Sequence, residues 1–280
     1  MRNEFLTEAD ISGFRMHLLT AEKSAATEQK YIRDVKSFAK FIGCSKITKE
    51  SVIAYKKYLQ ENYTVRSVNS MLASINSLFA FLGRHDLRVK SLKLQQQIFR
   101  PEEKELTKAE YTRLCRTAER RHNERLNLIL QTICGTGIRV SELQYITVES
   151  VKQGEAVVSL KGKTRSVFIV KELKKKLLLY TQKQNIKSGM IFVTRTGKPI
   201  SRTSIWREMK ALCEEANVNP GKVFPHNLRH LFARVFYGIE KDIAKLADIL
   251  GHSSINTTRI YIISTGTEHR QRMENMHLIL

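Results

Sequence analysis

Residues 65–83, VRSVNSMLASINSLFAFLG, decide the fold. Val68, Leu72, Ile75, Phe79 and Leu82 alternate steps of four and three, so one apolar stripe runs along a helix until Gly83 stops it. The same period extends back towards the N-terminus. Thr7 with Asp10 three positions on resembles a capping box, and Ile11, Phe14 and Leu18 share the face behind it. Tyr31, Val35, Phe38 and Ile42 form a second stripe that ends at Gly43, and a run starting near Thr48 carries Val52, Tyr55 and Leu59. Four such helices can bury one core between them, so residues 1–90 read as a small helical bundle.

Beyond about Lys90 the period fades through SLKLQQQIFRPEEKE, which makes residues 91–104 a linker. Thr107 and Glu110 then read as a second capping box, and LNLILQTICGTG (126–137) is apolar enough to start a second core. Between Ala156 and Val170, Val157, Val158, Val167, Phe168 and Ile169 flank the polar turn Lys161-Gly162-Lys163-Thr164, the pattern of a basic β-hairpin. The rest is mixed and mostly helical. The expected fold is mainly α with a small β-hairpin (α+β): a first domain over 1–90 and a second over 105–280. A chain of 280 residues at about 150 per domain agrees with two domains.

Composition narrows the function. With 42% hydrophobic and 27% charged residues, 4 prolines and 13 glycines, the chain is neither collagen-like nor wholly disordered. No apolar run approaches the roughly 18 residues that cross a bilayer, and MRNEFLTEAD lacks a signal peptide's apolar stretch, so a cytoplasmic protein is expected. The formal charge of +21 exceeds what solubility requires and points to an extended polyanion. A membrane partner would call for a basic amphipathic helix with bulky apolar residues opposite, and none stands out. Cys44, Cys115, Cys134 and Cys213 are scattered, without zinc spacing, and read as ordinary thiols.

Three segments carry chemistry. In TGIRVSEL (136–143) the glycines at 135 and 137 allow a sharp turn, after which Arg139 opens a helix with Glu142 one turn on. Alone, this is a surface ion pair. In PHNLRHLFA (225–233) Pro225 suits a first helical turn, and His226, Arg229 and His230 fall on one face. A guanidinium fork and two imidazoles converging there suit a phosphate. A zinc site fits poorly, because Arg229 would repel the cation and the glutamate of a zinc protease motif is absent. In LGHSSINTTRIYI (250–262) His252 follows a glycine stop, and Tyr261 stands nine residues further on.

Together, in this order and over nearly the whole chain, TGxRxSEL, HxLRH and LGH with Tyr nine residues on resemble the signature of the tyrosine recombinase (phage integrase) family. The resemblance implies a helical core-binding domain followed by a catalytic domain. It makes Tyr261 the nucleophile that forms a 3′-phosphotyrosyl link, Arg139 and Arg229 the clamp on the phosphate oxygens, His226 the general base and His252 a further phosphate donor. Glu142 and His230 become supports. Lys161 aligns with the family's hairpin lysine, the proton source for the leaving 5′-oxygen, although Lys163 competes for that role; Leu160 replaces the usual first glycine and the loop is short. Lys163, Arg165, Arg66 and Asn69 are the expected DNA contacts. Double-stranded DNA is the implied partner, with a homotetramer acting on two sites and a monomer or dimer in solution. No metal, nucleotide or other cofactor is expected: the two arginines would stabilise the charge without a metal, and a phosphotyrosyl ester conserves the energy of the bond it replaces, so ATP is not needed. The chain starts almost directly with the bundle, which favours a recombinase without an arm-binding domain, of the chromosome-dimer, integron, inversion or transposon type. The tail EHRQRMENMHLIL can form a short helix that docks on a neighbouring protomer or packs on its own chain.

Other classes fit less well. Gly162-Lys163-Thr164 suggests a P-loop, but the glycine needed five places earlier is Val157. No acidic cluster suggests a two-metal nuclease. A type IB topoisomerase shares the chemistry but acts alone, and an accessory DNA-binding protein need not keep every catalytic position. An RNA-binding protein would show aromatic stacking motifs.

Overall fold

The computed structural model describes residues 4–94, 102–160, 163–262, 270 and 273–276. The fold is mostly helical with one two-stranded antiparallel sheet. It divides into two compact units, Met1–Gln96 and Gln97–Leu280.

The first unit contains α1 (Glu8–Thr20), α2 (Ala25–Ile42), α3 (Lys49–Asn62) and α4 (Val65–Phe81). The Thr7–Asp10 capping box forms, with a reciprocal bond from the Thr7 amide to Asp10 Oδ2 at 2.9 Å, and Gly43 closes α2 at a φ of 58°. The stripes meet in one core, where the Phe38 ring lies edge-on to Tyr55 at 5.1 Å and to Phe79 at 5.8 Å. Asn69 and Asn76, two turns apart on α4, each hold a residue of the following segment by a pair of backbone bonds. Asn69 donates to the Leu92 carbonyl at 2.9 Å and accepts from the Leu92 amide at 2.7 Å. Its amide is therefore engaged at both ends within the unit. Arg66 is exposed on the same helix.

The second unit holds α5 (Lys108–Arg120), α6 (Glu124–Thr136), α7 (Val148–Gln153), α8 (Lys171–Lys183), α9 (Arg202–Ala211), α10 (Pro225–Glu240), α11 (Ile243–Leu250) and α12 (Ile255–Ile262). The Thr107–Glu110 capping box starts α5. Strands β1 (Glu155–Leu160) and β2 (Lys163–Phe168) pair from Glu155 opposite Phe168 to Leu160 opposite Lys163. Lys163 and Thr164, expected in the turn, thus belong to the strand. Ala156, Val158 and Val167 face the main core, with Leu114, Ile129, Ile133 and Leu177.

Two glycines shape the path to the site. Gly137 ends α6 in the left-handed region, at a φ of 66°, and an added Cβ there would lie 2.5 Å from the Phe232 ring. The chain then turns into the helix that Arg139 opens, a 3-10 helix over Val140–Tyr145. Gly251 ends α11 in the same way at a φ of 63°, with Arg165 where its Cβ would stand. Among the described residues, no helix is long and apolar enough to cross a membrane. Of the expected C-terminal helix, Met273 and Met276 are exposed, and Leu280 lies outside the described residues.

Candidate active site

Four segments of the second unit bring the motif residues together. Pro225 sits at the first position of α10, which aligns His226, Arg229 and His230 along one face. His226 is exposed, whereas Arg229 and His230 are 1% and 5% exposed. Tyr261, from α12, lies against all three imidazoles: its ring stacks on His230 at 4.1 Å and meets His226 at 5.4 Å and His252 at 5.1 Å.

Arg229 is held from below by carbonyl groups. Nη1 donates to the Gly137 carbonyl at 2.5 Å and Nη2 to the Leu250 carbonyl at 2.6 Å, while Nη2 also lies 3.0 Å from His252 Nε2. Arg139 Nη2 reaches the Gly251 carbonyl at 3.3 Å, and Arg165 Nη1 the Ile249 carbonyl at 2.8 Å. All four carbonyls lie at the C-terminal ends of α6 and α11. Such groups have no partner within their own helix and carry the negative end of its dipole, so they are natural acceptors for cations. Three guanidinium groups gathered in one place repel each other, and these carbonyls offset part of that cost.

Glu142 offsets more of it. Its carboxylate is 1% exposed and accepts from Arg139 Nη1 at 2.8 Å, from the Arg139 amide at 2.9 Å and from Arg165 Nη2 at 2.5 Å. Burial works to raise its pKa, but the bonds from Arg139 and the charges of Arg165 and Arg139 outweigh it and hold the carboxyl below its ordinary range. Arg165 accordingly ties β2 to Glu142 and to the end of α11. Burial, followed by the charge of Arg139, pushes Arg229 down to about 10, so it stays charged near neutral pH. Burial, then the charges of Arg229, Arg139 and Arg165, hold His252 down to about 4. The ring is therefore neutral near pH 7, with one nitrogen a donor and the other an acceptor.

Arg139, His226 and Arg229 open on a cleft also lined by Arg202, Thr203 and Trp206. Arg202 and Trp206 are exposed at the start of α9, in a run whose positive charge alone did not distinguish it from a solvated helix face. Lys161 lies outside the described residues; Lys163 opens β2. Among the described residues, no three His, Cys, Asp or Glu side chains gather as a metal-binding set. The four cysteines are free thiols, with Cys44 exposed and Cys213 buried.

The second unit thus gathers three histidines and Arg229 about Tyr261, with Arg139 bonded to the Gly251 carbonyl beside His252. Residues 104–268 match the phage integrase family and residues 6–87 its N-terminal SAM-like domain, so the chain belongs to the phage integrase family, as a site-specific tyrosine recombinase. It is similar to tyrosine recombinase XerA of Pyrococcus furiosus, with 26% identity over 100% of this chain and 98% of the relative. Among solved structures, a XerA recombinase crystal structure aligns with 98% of this chain and 100% of its own at 25% identity and a TM-score of 0.55. A lambda integrase tetramer bound to a Holliday junction aligns over 90% of this chain and 76% of its own, with 17% identity and a TM-score of 0.74.

Proposed function

We propose that this recombinase cuts and rejoins DNA through a covalent bond between Tyr261 and a 3′-phosphate, with neither metal nor nucleotide. The observation that carries this reading is the packing of the Tyr261 ring against His226, His230 and His252, beside a buried Arg229. In the first step the Tyr261 oxygen attacks phosphorus and passes its proton to His226. Arg139 and Arg229 hold the two non-bridging oxygens as charge builds on them, and His252, whose Nε2 takes a proton from solvent as the phosphate offsets the surrounding positive charge, donates a further bond. The 5′-oxygen leaves with a proton from Lys161. In the reverse step a 5′-hydroxyl attacks the phosphotyrosine and releases Tyr261, so the number of ester bonds is unchanged and no ATP is consumed.

Both units would grip the duplex. Arg66 on α4 and Arg202 beside the cleft are exposed cations placed to neutralise phosphates, and they would give affinity that falls with salt. The protein would assemble as a tetramer on two sites and exchange strands through a Holliday junction; the similarity to the junction-bound lambda integrase tetramer supports this reading.

The test is incubation with a nicked duplex carrying a candidate site, in EDTA and without nucleotide. A denaturation-resistant protein–DNA adduct that is lost in Tyr261→Phe is the expected result. Binding of that duplex without an adduct from the native protein would overturn the catalytic reading in favour of an accessory DNA-binding role.

A further inference from the structure

The His252 ring makes two contacts that together fix the position of its proton. Nε2 lies 3.0 Å from Arg229 Nη2, and Nδ1 lies 2.9 Å from Thr258 Oγ1. A guanidinium can only donate, so Nε2 must be the acceptor of that bond. The single proton of the neutral ring then sits on Nδ1 and is donated to the Thr258 hydroxyl. Thr258 is fully buried and stands three residues before Tyr261 on α12, one turn back on the same face.

We propose that Thr258 is a positioning residue for strand cleavage: its hydroxyl accepts from the Nδ1–H that the Arg229 bond to Nε2 leaves on the ring, keeps Nε2 directed at the phosphate site, and ties that ring to the helix carrying Tyr261. The hydroxyl oxygen accepts from Nδ1–H whether or not Nε2 is protonated. His252 can therefore change from an acceptor towards Arg229 to a donor towards a phosphate oxygen without turning its ring. Packing alone does not call for the Thr258 hydroxyl, since a valine has a similar shape.

The inference rests on the cleavage chemistry proposed above, and its first test is independent of it. Nitrogen NMR of histidine-labelled full-length protein, without DNA, reads the tautomer directly. The native protein should show His252 protonated at Nδ1 and bare at Nε2; Thr258→Val leaves Nδ1–H without its acceptor and frees the ring to turn away from Arg229, so it should lose that preference, and Thr258→Ser should restore it. On a nicked duplex, Thr258→Val should slow adduct formation roughly 10- to 100-fold, the size of effect expected when a partner orienting a functional histidine is removed. Its DNA affinity should stay unchanged, and Thr258→Ser should recover the rate. Thr258→Ala removes the same hydroxyl and gives the same readings if the valine variant does not fold. An unchanged tautomer in Thr258→Val, or a slowed rate that serine does not rescue, overturns the proposal. Failure of the native protein to form any adduct instead overturns the cleavage reading, while leaving the tautomer result intact.

Discussion

The bundle and the site half of the second unit hold their helices together in opposite ways. In the bundle, α1 to α4 meet through Phe14, Phe38, Tyr55, Leu72 and Phe79, all fully buried. Its main buried charge, Asp34, is satisfied at close range by Lys30, Arg33 and Ser74. Around α10 to α12, apart from Leu228 and Leu231 of α10 that join the main core, a small cluster of Ala233, Leu246, Leu250 and Tyr261 lies beside guanidinium groups bonded to helix ends. Apolar area is non-directional and tolerates small shifts, whereas bonds from a rigid fork to carbonyls fix angles as well as distances. The first arrangement suits a handle; the second suits a site whose atoms must be placed to fractions of an ångström.

The largest expected effect sharpens the first side of that comparison. Phe38→Ala removes a ring that touches both Tyr55 and Phe79, and a truncation of this kind costs about 3–5 kcal/mol. Denaturant unfolding followed by circular dichroism would measure it, and a loss under about 1 kcal/mol would mean that the bundle does not depend on its aromatic centre.

Arg229→Lys tests the other side. Lysine keeps the charge but cannot reach the Gly137 and Leu250 carbonyls together, so cleavage should fall about 10²–10³-fold. Stability should fall by about 1–3 kcal/mol, because a buried acceptor loses its donor. If lysine supports normal cleavage, charge alone matters and the fork geometry does not.

Acid should weaken the site before the bundle. His252 is held to about 4 in the folded chain against an ordinary 6.5, so the unfolded chain binds its proton first. The ring's contribution is complete above about pH 6.5, declines as the pH falls from there to about 4, and is constant below. Melting temperatures across this window should flatten in His252→Asn relative to the native chain; identical profiles would show that the ring is solvated like any surface histidine.

The smallest effect belongs to Arg66→Ala. Removing one exposed cation should lower the slope of log affinity against log salt by about one and leave cleavage of bound DNA unchanged. A large loss would place Arg66 on a base edge and give the bundle a share in sequence reading.

Much of the bundle was legible before any coordinates, because its information is local. A four-three spacing, a threonine three residues ahead of its capping partner and a glycine stop are all contained within one helix. The motif residues of the site were legible for a different reason, since their order along the chain resembles a known pattern. Contacts made at long separation were not legible. Arg165 looked like any hairpin arginine until Glu142, 23 positions away, accepted its bond, and Asn69 looked solvated until it closed on Leu92. Thr258 gave no signal, since the meaning of one hydroxyl depends on which ring nitrogen faces it.

The gathering of Arg139, Arg165 and Arg229, of which Arg139 and Arg165 share the carboxylate of Glu142, makes the choice of buffer salt a variable in handling this protein. A divalent oxyanion that fits between the guanidinium groups would bind the folded chain alone and stabilise it by mass action. Sulfate should then raise the melting temperature more than chloride at equal ionic strength, and at high concentration it should slow strand cleavage by competing for the phosphate's place.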